Sequence, residues 1–160
     1  IKNDIYGSTD FVLGFDTGNG IVDALLVDKQ QKSAEANTVI KFEGSVPSNG
    51  IDATELCVIF GNTLDNAIEA CQKINSKETK TIDVRCESGN GFMFIRISNP
   101  TNRDVTIINN TVETTKDNKQ LHGFGIYSLN QTVKKHDGDL KLVCKNKKFV
   151  VDISMSLACV

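Results

Sequence analysis

The chain has 160 residues, a formal net charge of −2 and an ordinary composition, 39% hydrophobic and 24% charged. That suits a single domain with one good-sized core. It implies no broad basic surface for nucleic acid, and no apolar run approaches the roughly 20 residues that span a bilayer.

Residues 1–18 are glycine-rich and irregular, and read as a linker or the tail of an upstream element. Over residues 20–36, Ile21, Leu25, Ala34 and either Val22 or Leu26 recur at helical spacing and predict one helix. Thr38 to Glu43 alternates and predicts a strand, and Pro47 to Gly50 is a turn cluster. Asp52-Ala-Thr-Glu55 has the form of a capping box opening a helix that runs to about Ile74. In that helix Leu56, Ile59, Phe60, Leu64, Ala67, Cys71 and Ile74 form a broad apolar face. Asn62, Asn66, Glu69 and Lys73 form a narrow polar stripe opposite, which Glu55 shares two turns earlier.

Thr81–Cys86 and Phe92–Ser98 both alternate, and Gly89-Asn-Gly91 between them is a hairpin turn. The polar stretch Thr101–Gln120 is long for a connection inside a compact domain and reads as a functional lid or a disordered segment. Gly123-Phe-Gly125 then opens a helix to about His136, with Ile126, Leu129 and Val133 apolar and Gly138 as its left-handed cap. Leu140–Cys144 and Phe149–Ser156 form a last hairpin. This order predicts an α+β fold: a two-layer α/β sandwich, its mixed, mostly antiparallel sheet packed on helices.

The five cysteines, Cys57, Cys71, Cys86, Cys144 and Cys159, form no C-x-x-C pair, and the histidines are only His122 and His136. The set predicts reduced thiols in a core rather than a zinc site.

Three constellations carry chemistry. Asn62 and Asn66 lie one turn apart on a water-facing stripe, and their amide oxygens suit a hard cation such as Mg²⁺ alongside substrate phosphates. The plain alternative is a solvated helix face. In Lys116-Asp-Asn-Lys119-Gln-Leu-His122-Gly123-Phe124-Gly125, a glycine pair lets backbone approach a ligand where helix N–H groups favour an anion. Lys116 and Lys119 lie upstream, able to fold over phosphates; the alternative is a simple helix entry. Asn99-Pro100 ends a strand, where an amide can pair with an adenine edge or merely terminate the strand.

In this order the three resemble the N, G1 and G2 boxes of the Bergerat (GHKL) ATP-binding fold. Over roughly residues 19–157 the chain most resembles the catalytic domains of Agr-type, peptide-pheromone sensor histidine kinases. The helix around Asp23-Ala-Leu-Leu with Lys29, the run NTLDNAIEA and the run HGFGIYSLNQ carry the likeness. The resemblance implies that residues 19–160 form the catalytic domain, with Asn66 as Mg²⁺ ligand and Asn62 beside the phosphates. It implies Asn62 and Lys116 as catalytic residues. Asn99 would face adenine, and Lys119, His122, Gly123, Phe124 and Gly125 would complete the ATP site. Two features depart from the family. Asn99-Pro-Thr-Asn-Arg103 lacks the glycines of the G1 box, and no histidine precedes His122. The phosphoacceptor would lie upstream of Ile1, in a dimerisation domain of a homodimeric, membrane-anchored parent. A response regulator would be its partner, and this domain would be cytoplasmic, without membrane contact. ATP-hydrolysing members carry a glutamate base where this chain has Asn62, so slow hydrolysis is expected. The alternatives are an anti-sigma-factor-like serine kinase and a nucleotide-binding or interaction module without transfer activity.

Overall fold

A computed structural model describes residues 14–108, 111–112 and 122–157. The elements are α1 (Gly20–Ala34), β1 (Thr38–Gly44), α2 (Ala53–Leu56), a π turn (Cys57–Gly61), α3 (Asn62–Gln72), β2 (Lys80–Gly89), β3 (Phe92–Pro100), β4 (Ile107–Ile108), β5 (Thr111–Val112), α4 (His122–Lys135), β6 (Asp139–Lys145) and β7 (Lys148–Ser156).

The strands of the main sheet run β1-β2-β3-β7-β6. Only β1 and β2 are parallel, and the other pairs are antiparallel. A parallel pair needs a crossover, and here α2–α3 supplies it. The sheet is therefore mixed and mostly antiparallel, as the element order predicts. One face alternates into the core through residues such as Ile82, Val84, Met93, Ile95 and Ile153. Helices α1, α3 and α4 cover that face, giving two layers around one core. The β2–β3 hairpin turns through Asn90 and Gly91, both at positive φ (53° and 78°), as a two-residue hairpin requires.

Helix α1 corrects one expectation. Its buried face is Val22, Leu26, Lys29 and Ser33, whereas Ile21 is exposed and Leu25 only half-buried. The spacing is helical, but two of the four residues are polar, so an apolar count misplaces the stripe. Both find partners that make burial tolerable: the Ser33 hydroxyl donates to Thr38 O at 2.9 Å, and Lys29 Nζ to Asp65 Oδ1 at 2.6 Å. Asn19 caps the helix and also donates from Nδ2 to Pro47 O at 2.9 Å.

The second helix starts where the capping box predicts, with Asp52 Oδ1 accepting from Thr54 N at 2.6 Å. It is not one regular helix. Cys57–Gly61 forms a π turn, and the Thr63 hydroxyl donates back to Ile59 O at 2.5 Å. The extra residue rotates the helix before it by about 100° relative to the helix after it.

Three smaller features also differ from expectation. The long connection after β3 is not featureless, because β4 and β5 pair antiparallel within it. At the end of α4 the left-handed residue is Asp137 (φ 49°), not Gly138. Gly138 N donates to Val133 O at 3.0 Å and Asp137 N to Lys134 O at 3.2 Å, a Schellman closure. Gly138 is needed for space, since a Cβ there would sit 2.4 Å from Ser154 O. Finally, Cys71 and Cys86 are buried but Cys57 is exposed. Burial pushes the Cys86 thiol up to about 12.

Gly44 (φ 101°) ends β1, and a Cβ on it would lie 1.9 Å from Cys86 O. Gly44→Ala is expected to destabilise the fold by about 3 kcal/mol in urea unfolding. Gly89→Ala, with nothing within 4 Å of its Cβ, should change stability by under about 0.5 kcal/mol.

Candidate functional site

The π turn delivers Asn62 as the first residue of α3, half-buried at the seam with α4. There its Nδ2 donates to Gly125 O at 3.3 Å. A Cβ on Gly125 would lie 3.7 Å from the Cβ and Cγ of Asn62. The polar stripe and the glycine pair, 63 residues apart in sequence, thus meet at one place. Asn66 lies one turn further along, half-buried, its side chain without a hydrogen-bond partner among the described residues.

Asn99 is buried near the end of β3, on the face it shares with Ile95 and Ile97 and under the helix layer. Its Nδ2 donates to Pro100 O at 2.8 Å. Helix α3 packs on β3, so the third constellation belongs to the same layer interface as the first. Of the remaining predicted residues, Gly123 and His122 start α4, and Phe124 projects into solvent, 71% exposed. Lys116 and Lys119 lie outside the described residues.

The donor set fits a cation held partly by its ligand. Among the described residues no group of three or more His, Cys, Asp or Glu side chains gathers. A neutral amide oxygen such as that of Asn66 suits Mg²⁺, which keeps waters and takes most of its other ligands from phosphates.

Two polar contacts beside this seam escape sequence reasoning. Lys29, with a side chain only 9% exposed, pairs at 2.6 Å with Asp65, the neighbour of Asn66. The signal was present as a lysine in register with Val22 and Leu26. Glu55 Oε2 lies 2.7 Å from His136 Nε2, and Lys135 Nζ is 3.5 Å from Glu55 Oε1. No local pattern links residues 81 apart.

Comparison with known proteins adds the family. Residues 51–156 match the model of the GHKL domain. No curated protein matches the chain by sequence. The structure is similar to that of the Acinetobacter baumannii histidine kinase AdeS, with a TM-score of 0.64 and 16% identity over 91% of this chain and 67% of that one. It is similar to the mycobacterial sensor histidine kinase MprB (TM-score 0.64, 14% identity, 88% and 96% of the two chains). A nucleotide-free catalytic domain of histidine kinase ThkA gives a TM-score of 0.66 at 16% identity, over 90% and 94%.

The Lys29–Asp65 pair yields an asymmetric expectation. Asp65→Ala leaves the buried ammonium with only the longer Asp28 contact, 3.9 Å, and should destabilise by about 2 kcal/mol. Lys29→Met removes the charge and keeps the stem, and should be milder by about 1 kcal/mol. Chemical denaturation of both variants compares them; equal losses would count against a charge effect.

Proposed function

Because the chain belongs to the GHKL domain family, we propose that it is the ATP-binding catalytic domain of a bacterial two-component sensor histidine kinase, of the Agr-type, peptide-pheromone group. The observation that carries this reading is the meeting of Asn62 with the backbone of Gly125. In a fold shared with histidine kinase catalytic domains, that meeting brings an amide-bearing helix to a glycine-led one.

Residues 19–160 form the catalytic domain, and residues 1–18 are a linker or the tail of the upstream dimerisation region. Asn66 holds Mg²⁺ through its amide oxygen, and the ion neutralises charge on the phosphates when bound. Asn62 lines the phosphates, Asn99 faces the adenine edge, and Gly123 to Gly125 let the backbone of α4 approach. Phe124, His122, Lys116 and Lys119 complete the ATP site, and Lys116 shares the catalytic role with Asn62. Catalysis is positioning and charge neutralisation. An amide at position 62 does not take a proton near pH 7, so the domain holds ATP for an imidazole on an upstream dimerisation domain. A response regulator then accepts the phosphoryl group. No helix among the described residues is long and apolar enough to cross a membrane, and we place the domain on the cytoplasmic side of an anchored, homodimeric parent.

A second reading has one observation in its favour: Asn99 to Arg103 carries no glycines. It is a nucleotide-binding module without transfer activity.

Calorimetry should detect Mg-ATP binding by this chain. Asn66→Ala should weaken it about tenfold or more, the scale of a contact to a charged group. Lys116→Ala should weaken it less. Chelating Mg²⁺ should lower wild-type affinity and erase the difference between wild type and Asn66→Ala. Affinity indifferent to Mg²⁺ would remove the role of Asn66, and no binding would remove the reading. The chain alone should not phosphorylate itself, whereas a supplied histidine-bearing domain should acquire acid-labile phosphate. Binding without that transfer would favour the second reading.

A further inference from the structure

Helices α2–α3 and α4 run antiparallel, because Asn62 meets Gly125 at one end of the seam and Glu55 meets His136 at the other. The second contact is short, 2.7 Å, between side chains only 18% and 15% exposed. Neither helix end needs it for capping. Asp52 already caps α2, and the Schellman closure already ends α4. His136 is itself a fixed post: its carbonyl accepts from Ser156 N at 2.9 Å, which ties it to the end of β7. Glu55 sits in the first turn of α2 and His136 just beyond the last turn of α4. A carboxylate at a helix N-terminus is favoured by the helix dipole, as are Lys134 and Lys135 in the last turn of α4.

The charged groups facing this contact are Lys135, one residue before His136, and Asp52 on the same helix start as Glu55. Burial pushes the Glu55 carboxyl up, but the His136 bond and charge, the Asp52 backbone N–H and Lys135 outweigh it and leave it below its ordinary value. The π turn lies between the two ties, with Ile59 and Phe60 buried there and Leu129 and Val133 buried on α4. A π turn is where a helix changes phase, and such turns recur at functional sites. With Glu55 held on one side of it and Asn62 on the other, the phase is set from both ends.

We propose that Glu55 and His136 are positioning residues for the nucleotide site, a fastener that holds the Asn62–Asn66 helix in phase with the glycine end of α4 from the far end of the seam. The proposal rests on the reading of this domain as nucleotide-binding. It is tested by titrating Mg-ATP into the wild-type chain and into folded variants, each well below its melting temperature. His136→Ala should weaken binding about fivefold, and Glu55→Gln, nearly isosteric and so the safer variant for folding, about threefold. His136→Gln keeps an N–H donor for Glu55 and should stay within about twofold of wild type. A Glu55→Ala/His136→Ala double variant should bind no more weakly than the worse single one. A general loss of stability would not give rescue by glutamine or this non-additivity. Wild-type binding with unchanged affinity in Glu55→Gln and His136→Ala overturns the fastener alone. Wild-type failure to bind overturns the nucleotide reading and the fastener with it.

Discussion

The arrangement depends on the antiparallel seam between the crossover helix and α4. A parallel β1–β2 pair forces a helix across the sheet, and the apolar face of β6 and β7 needs a second cover, which α4 supplies. Two helices lying side by side over one sheet leave a polar line where neither is buried. At that line the chain places an asparagine against a glycine carbonyl. A side chain at 125 would meet Asn62 at ordinary contact distance, so glycine is not demanded by the packing of these helices alone. It leaves backbone open to whatever approaches the seam.

The ion pairs differ in weight. Across the outer sheet face, Glu43 pairs with Arg85 and Arg96 with Asp152, and all four strands carry these residues in register. Arg85 and Arg96 are direct cross-strand neighbours, a repulsive placement that the outer carboxylates offset. These groups are largely exposed, and exposed pairs contribute about 0–1 kcal/mol. Lys29–Asp65 and Glu55–His136 are different because one or both partners are shielded from water. Losing Asp65 or His136 there leaves a shielded group with only a longer contact, Lys29 to Asp28 at 3.9 Å or Glu55 to Lys135 at 3.5 Å. The pairs that matter therefore cluster on the helix carrying Asn62 and Asn66, one on each side of the π turn.

That clustering bears on chemistry. Asn62 and Asn66 are neutral, and the flanking carboxylates are both engaged, Glu55 by His136 and Lys135 and Asp65 by Lys29. The helix presents Asn62 to the glycine end of the seam, with Asn66 one turn on, and both of its flanking acids are already engaged. In the kinase reading, such a site holds a polyphosphate and its cation without a base to spend it on water.

Much of this was legible in the sequence. Alternation in β2, β3 and β7, the Asn90–Gly91 turn, the Asp52 cap and the apolar face of α3 are local patterns, set by a backbone period and by which groups need burial. The amide pair and the glycine pair were visible for the same reason, as residue types out of keeping with plain helix propensity. Tertiary structure decided the rest. The inward face of α1 includes Lys29 and Ser33 because partners from β1 and α3 make their burial tolerable, and no count of apolar residues reveals that. The π turn interrupts the regular helix expected from Asp52 to Ile74, since one added residue changes helical phase without leaving a mark in composition, and only the packing of α4 brings His136 to Glu55. The meeting of Asn62 with Gly125 joins segments that only the packing of two helices on one sheet could bring together. Local order is written in neighbours along the chain, whereas a contact between distant residues exists only once the layers have closed.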